Sequence, residues 1–190
     1  SHDTESLRIK NGTSLLTFKE AAEQLNPVYH LAFNIPKNKL PEAIKWSENR
    51  IELIQQEQAV LIANFESWNA NAVYFYDNNG NLLEFIARKD LDNAKTEAFS
   101  SNQLLNISEI GIVTDNPATL CEKFAAEYGL SLFEKNQNSE VFTAVGNDDG
   151  LLIIVKTNRN WYPTILPAKS NWTKIGLTNN AQNSLIEITT

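Results

Sequence analysis

One carboxylate of this chain lies where a strand should carry only apolar side chains. The turn sequence Asp77–Gly80 predicts a β-hairpin whose second strand is Leu82–Arg88. Side chains alternate between the faces of a strand, so Glu84 shares a face with Leu82 and Ile86. An unpaired carboxylate buried there would cost several kcal/mol, so Glu84 is expected to contact a cation, a hydrogen-bond donor or water.

His30, in the predicted strand 29–35, is the second candidate for chemistry. The only other histidine is His2, so chemistry that depends on histidine rests on His30. Histidine and carboxylate ligands suit Zn, Ni, Mn or Fe(II). Such an ion can polarise two neighbouring substrate oxygens or, as iron, activate O₂. The alternative is that His30 is a hydrogen-bonded part of the scaffold.

Four further residues are candidates of lower specificity. Arg88 ends the same strand face as Glu84 and could pair with it, bind an anionic substrate or be solvated. Trp68 and Tyr74 either line a substrate pocket or pack in the core. Together, Arg88, Tyr74 and Trp68 form the predicted substrate-binding set. Glu109 is either a ligand in another part of the chain or a partly exposed carboxylate.

The order of predicted elements occurs twice. Residues 29–88 and 107–156 each read as β-α-β-β-β, with helices over 40–49 and 117–128. Asn116 and Pro117 suit the start of the second helix, and Gly129 suits its end. The second repeat is predicted to contain three strands after its helix, over 132–135, 141–145 and 151–156.

Aligning the two repeats places Glu109 opposite His30 and Ile154 opposite Glu84. Isoleucine cannot bind a metal. We therefore expect the second repeat to hold no metal and to stabilise the fold or a dimer.

The segment 72–88 resembles the closing hairpin of the vicinal oxygen chelate superfamily, which includes glyoxalase I, bleomycin-resistance proteins and extradiol dioxygenases. Glu84 matches a metal-ligand position of many members, and His30 matches the ligand position of the opening strand. Segments 29–36, 68–77 and 161–164 also resemble a poorly characterised bacterial branch of these proteins.

The resemblance implies an α+β fold in which repeated βαβββ units form curved, cup-like mixed sheets. It predicts a glyoxalase-like domain over 1–90, a linker over 91–106, and a further unit with C-terminal strands over 107–190. Residues 6–18 would be the last strands of a first unit whose opening strand and helix lie outside this sequence. That unit would supply the remaining ligands, although its matching position, near Leu15, is apolar.

The resemblance also implies the function. The first hypothesis is a protein that binds a small molecule in a sheet-lined cup as a divalent-metal-dependent lyase, isomerase or dioxygenase, with His30 and Glu84 as metal ligands and catalytic residues. The second is a metal-free binding protein of the drug or antibiotic type. The third is a structural role through sheet edges or dimerisation, and a homodimer is expected.

Composition excludes several other classes. The chain has 190 residues and a net charge of −7, and no basic stripe indicates nucleic-acid binding. Its one cysteine, Cys121, permits neither an internal disulfide nor a cysteine zinc site. No run of about 18 apolar residues predicts a membrane span, and no signal peptide is visible. A cytoplasmic protein is expected.

Overall fold

The protein was analysed as a computed structural model that describes residues 6–22, 25–56, 60–179 and 181–188. Within those residues it has two α-helices, eleven strands and one short 3₁₀ helix at Ser101–Gln103. The helices are α1, Leu40–Ser47, and α2, Pro117–Tyr128. The strands are β1 Ser6–Asn11, β2 Ser14–Lys19, β3 His30–Ile35, β4 Ala63–Phe65, β5 Ala70–Tyr76, β6 Leu82–Arg88, β7 Asn106–Thr114, β8 Phe142–Asn147, β9 Gly150–Lys156, β10 Thr173–Asn179 and β11 Gln182–Ile188.

The predicted α+β class is confirmed. Seven strands form one curled mixed sheet in the order β4-β5-β6-β3-β7-β9-β8. Each repeat pairs its first and last strands in parallel, β3 with β6 and β7 with β9. The chain divides into two compact units, Ser1–Ser108 and Glu109–Thr190, and the division falls inside β7. The three predicted domain ranges remain predictions.

In the first unit, the candidate residues lie on the face of the sheet that is opposite α1, as the register of β3 and β6 shows. Strands β3 and β6 pair with His30 opposite Leu82 and Ala32 opposite Glu84. The neighbouring side chain, Phe85, points to the other face, where its ring lies 6.4 Å from that of Trp46 on α1. Because strand side chains alternate, Glu84 faces away from the helix.

Both helices end where the local sequence no longer favours a helix. The predicted range of α2 is confirmed: Asn116 Oδ1 accepts a hydrogen bond from Thr119 N at 3.2 Å, and Gly129 is left-handed at φ 63°. Helix α1 ends at Ser47, two residues before the predicted end. Glu48 already has an extended backbone with ψ 131°, so the helix cannot continue.

One of two predictions about the smaller strands needs correction. Hairpin β1–β2 forms a two-stranded sheet of its own among the described residues, and its assignment to the end of a first unit remains a prediction. Leu15, the position matched to a missing ligand, is 64% exposed on that hairpin. The predicted strand 132–135 is only a single bridge from Leu132 to Val145, because a turn with a hydrogen bond from Asn136 N to Phe133 O ends it.

The second unit packs its sheet against α2 and the C-terminal hairpin. Strands β10 and β11, predicted near 172–178 and 184–188, form a separate two-stranded sheet. Ile186 of β11 joins a buried cluster that contains Phe124 of α2 and Ile154 of β9. Within the described ranges, no helix is long and apolar enough to cross a membrane.

Candidate metal centre

The two residues predicted to act together lie side by side in the first unit. His30 opens β3, Glu84 lies in the middle of β6, and both side chains are on the face opposite α1. His30 Nε2 lies 3.7 Å from Glu84 Oε2, and the residues are 5% and 1% exposed. The two side chains therefore lie close enough to act together, and their role as metal ligands remains a prediction.

The environment of His30 suits a metal ligand. Its Nδ1 lies 3.2 Å from the carbonyl oxygen of Leu82, which assigns the ring proton to Nδ1 as the donor. Burial lowers the pKa of His30 to about 4, although the hydrogen bond to Leu82 opposes this shift. The imidazole is therefore neutral at neutral pH, and the Nε2 lone pair faces Glu84. Histidines that bind metals usually donate their other ring N–H in this way.

The separation of the two ligand atoms is slightly larger than that of two ligands of one ion. Two ligands at about 2.1 Å from one ion lie about 3.0 to 3.6 Å apart for angles of about 90° to 120°. The distance of 3.7 Å between His30 Nε2 and Glu84 Oε2 lies just beyond that range. It is too long for a direct hydrogen bond.

The turn before β6 holds His30 through a chain of hydrogen bonds. Asp77 Oδ1 accepts from Asn81 N at 2.8 Å, and Asp77 Oδ2 accepts from Asn81 Nδ2 at 2.7 Å. Asn81 Oδ1 in turn accepts from Tyr29 N at 2.9 Å, directly before His30. Leu82 N donates to Tyr29 O at 2.9 Å. Sequence reasoning identified this turn but missed that Asn81 and Leu82 orient the histidine.

Glu109, the further candidate, lies in the second compact unit, directly after Ser108 on β7. It is 4% exposed, so the alternative of a partly exposed carboxylate was wrong. In the first unit, a buried histidine beside a buried carboxylate is a donor pair that fits a divalent metal.

The second repeat has an apolar residue at the position equivalent to Glu84, but it is a different residue from the one predicted. The pairs His30–Leu82 and Glu109–Leu151 are equivalent in their parallel ladders, so Ile153, two residues after Leu151, corresponds to Glu84. Ile154 faces the core around α2 instead. The alignment was wrong by one residue because five residues connect β5 to β6, whereas only two connect β8 to β9. Ile153 and Ile154 are both apolar, so with either alignment the position equivalent to Glu84 cannot bind a metal.

The three predicted substrate-binding residues surround the same face of the first unit. Tyr74 pairs with Glu84 across the strands, and its ring stacks on His30 with centroids 6.3 Å apart. Arg88, for which solvation was one alternative, is 0% exposed. Its Nε donates to Ser108 Oγ at 3.1 Å, and its guanidinium carbon lies 5.5 Å from the centre of the Trp68 ring. The strand end is covered, so the alternative of a solvated Arg88 was wrong.

The pKa of His30 predicts a pH dependence of stability. Between the unfolded pKa near 6.5 and the folded pKa of about 4, the unfolded chain binds a proton that the folded protein does not. The metal-free protein should therefore lose about 3 kcal/mol of unfolding free energy as pH falls through this window. Chemical denaturation at several pH values measures the loss. His30→Gln should remove most of it, and an equal slope in the variant would contradict the assignment.

Comparisons with known proteins identify the fold. No protein-family model matches the chain, and no curated protein matches it in sequence. A Bacillus subtilis structure described as a "putative dioxygenase" is 13% identical, with a TM-score of 0.50 over 75% of this chain and 46% of that one. The chain has the vicinal oxygen chelate fold. The resemblance inferred from the sequence is thereby confirmed for the fold.

A second solved structure is less similar. Glyoxalase I from Zea mays is 13% identical, with a TM-score of 0.46 over 79% of this chain and 50% of that one. The chain thus spans about half the length of these solved structures.

Proposed function

We propose that this protein binds a divalent metal through His30 and Glu84 and uses it to bind a small molecule with two neighbouring oxygen atoms. The observation that carries the proposal is the buried neutral imidazole, whose Nδ1 is held by Leu82 and whose Nε2 faces Glu84 at 3.7 Å. A scaffold histidine needs no carboxylate at that distance, whereas a ligand pair does.

The donor set supports a metal of the Zn, Ni, Mn or Fe class. A carboxylate and an imidazole are hard to intermediate ligands, which these ions accept. When bound, the ion would supply Lewis-acid polarisation or, as iron, O₂ activation, which corresponds to a lyase, isomerase or dioxygenase. With His30 and Glu84 as ligands, coordination positions remain for a chelating substrate.

The residues around the metal ligands indicate how a substrate would be oriented. Tyr74 stacks on His30 and so holds the plane of the imidazole, and its ring gives a substrate an aromatic surface to pack against. Arg88 and Trp68 lie towards the end of the same face and would bind an anionic or planar part of the substrate. The buried Arg88 favours a small substrate that carries a negative group beyond its chelating oxygens.

The alternative is a binding protein without metal. The apolar Ile153, at the position equivalent to Glu84, favours it, because the second repeat has no carboxylate there to bind a metal. Such a protein would hold an aromatic or drug-like compound between Tyr74 and Trp68. A homodimer and a cytoplasmic location remain predictions for either function.

Metal analysis separates the two functions. The protein should be purified without a histidine tag, stripped with a chelator, and reloaded separately with Zn, Ni, Mn and Fe(II). We expect about one tightly bound ion per chain. Catechol, a small molecule with two neighbouring hydroxyl oxygens, should bind only to the metal-loaded protein. If no ion is retained while catechol binds equally well to stripped protein, the metal function is wrong and the binding protein is correct.

A further inference from the structure

The sequence Asn-Gly occurs twice in the chain, each time in the turn of a hairpin. Asn11-Gly12 connects β1 to β2, and Asn79-Gly80 lies between β5 and β6. A backbone nitrogen can attack the side-chain amide of a preceding asparagine, and glycine permits the attack because it has no Cβ. We propose that Asn79 is a site of spontaneous deamidation and that the fold protects Asn11.

The surroundings of Asn79 leave room for the reaction. Asn79 is exposed, and no heavy atom lies within 4 Å of the point where a Cβ on Gly80 would be. Gly80 has φ +81°, so the turn already uses the freedom of glycine. Gly80 N donates to Asp77 O at 3.1 Å, a hydrogen bond that water can replace in an exposed turn.

Asn11 has the same sequence but opposite surroundings. It is 6% exposed, and a Cβ on Gly12 would lie 1.8 Å from the carbonyl oxygen of Leu105. The next residue, Thr13, donates its N–H to the same oxygen at 2.9 Å. Ring closure at Asn11 would therefore require local opening of the packed turn, whereas closure at Asn79 would not.

The reaction needs only water. Gly80 N forms a bond to Asn79 Cγ, the bond from Cγ to the side-chain amide nitrogen breaks, and ammonia leaves with the proton of Gly80 N. Water then opens the five-membered imide at either carbonyl. One opening gives aspartate at position 79. The other gives isoaspartate, in which the main chain passes through the former side chain.

Isoaspartate would lengthen the turn that orients His30. Asp77 Oδ1 accepts hydrogen bonds from Asn79 N at 2.9 Å and from Asn81 N at 2.8 Å, on either side of the modified link. An extra backbone carbon between these donors disrupts one of them. Asn81 carries the disturbance to Tyr29 N and thus to His30. This consequence, unlike the modification itself, rests on the proposed metal function.

Peptide mapping by mass spectrometry tests the modification. Folded protein is aged at mildly alkaline pH, and a gain of about one mass unit is followed at each Asn-Gly. We expect the gain to be about tenfold or more faster at Asn79 than at Asn11, because Asn11 must first open locally. When the protein is unfolded in guanidinium, Asn79 and Asn11 should deamidate at similar rates. Equal rates in the folded protein, or a faster rate at Asn11, would overturn the proposal.

The coupling to the metal centre has its own test. Aged wild-type protein should bind metal more weakly than fresh protein, whereas aged Asn79→Ser protein, which cannot form the imide, should keep its affinity. Modification at Asn79 with unchanged affinity would overturn the coupling. If fresh protein binds no metal, the proposed function fails, while the mass measurement still decides the modification.

Discussion

Replacement of Glu84 with Gln is expected to lower the affinity for divalent metal about a hundredfold or more, since loss of even an outer hydrogen-bond partner of a ligand costs 10–100-fold. The substitution keeps the size of the side chain but removes its charge. Glu84 is 1% exposed, and Oε2 lies 3.7 Å from His30 Nε2, so its carboxylate is placed to share an ion with the imidazole. Competition with a fluorescent chelator measures the affinity.

Two controls make the result specific. Glu66→Gln removes the same charge from an exposed turn of the same unit and should leave the affinity unchanged. The metal-free Glu84→Gln protein should be at least as stable as wild type, because it no longer buries that carboxylate. If both variants lose affinity equally, net charge controls binding. If Glu84→Gln alone retains full affinity, Glu84 is not a ligand.

The sequence was sufficient for the residues whose position depends on local alternation. Glu84 was placed on the face of Leu82 and Ile86 because strand parity is a local property. The ends of α2 followed from Asn116 and Gly129 for the same reason. These features need only a few neighbouring residues, whereas the pairing of Glu84 with His30 was implied by the resemblance, and their 3.7 Å separation agrees with it.

The errors concern contacts between segments distant in sequence. Solvation was one alternative for Arg88 at its strand end, but a hydrogen bond to Ser108 and the Trp68 ring cover it. Ile154 was matched to Glu84 because Gly150 was aligned with Gly80, although the turns before β6 and β9 differ in length. Pairing and turn length determine these positions, and neither is encoded by residue type alone.

Phe85→Ala should lower the free energy of unfolding by about 3–5 kcal/mol and leave the intrinsic metal affinity of the folded protein unchanged. Phe85 is 2% exposed, and its ring lies 4.7 Å from the Phe75 ring and 6.2 Å from the Phe99 ring. Truncation leaves a cavity between the sheet and the segments that cover it. Denaturant titration measures the loss, and Tyr76→Ala, which truncates a side chain that is 45% exposed, should cost less than about 1 kcal/mol.

Phe85 and Glu84 are adjacent residues on opposite faces of one strand, so the two substitutions should have opposite profiles. Glu84→Gln should remove metal binding and spare stability, whereas Phe85→Ala should remove stability and spare metal binding, measured where the variant is still fully folded. Phe85→Leu should recover most of the stability, because it refills most of the cavity. If Phe85→Ala also reduces the affinity of the folded protein about a hundredfold, the helix-side core positions the metal ligands, and the two faces of β6 do not act independently.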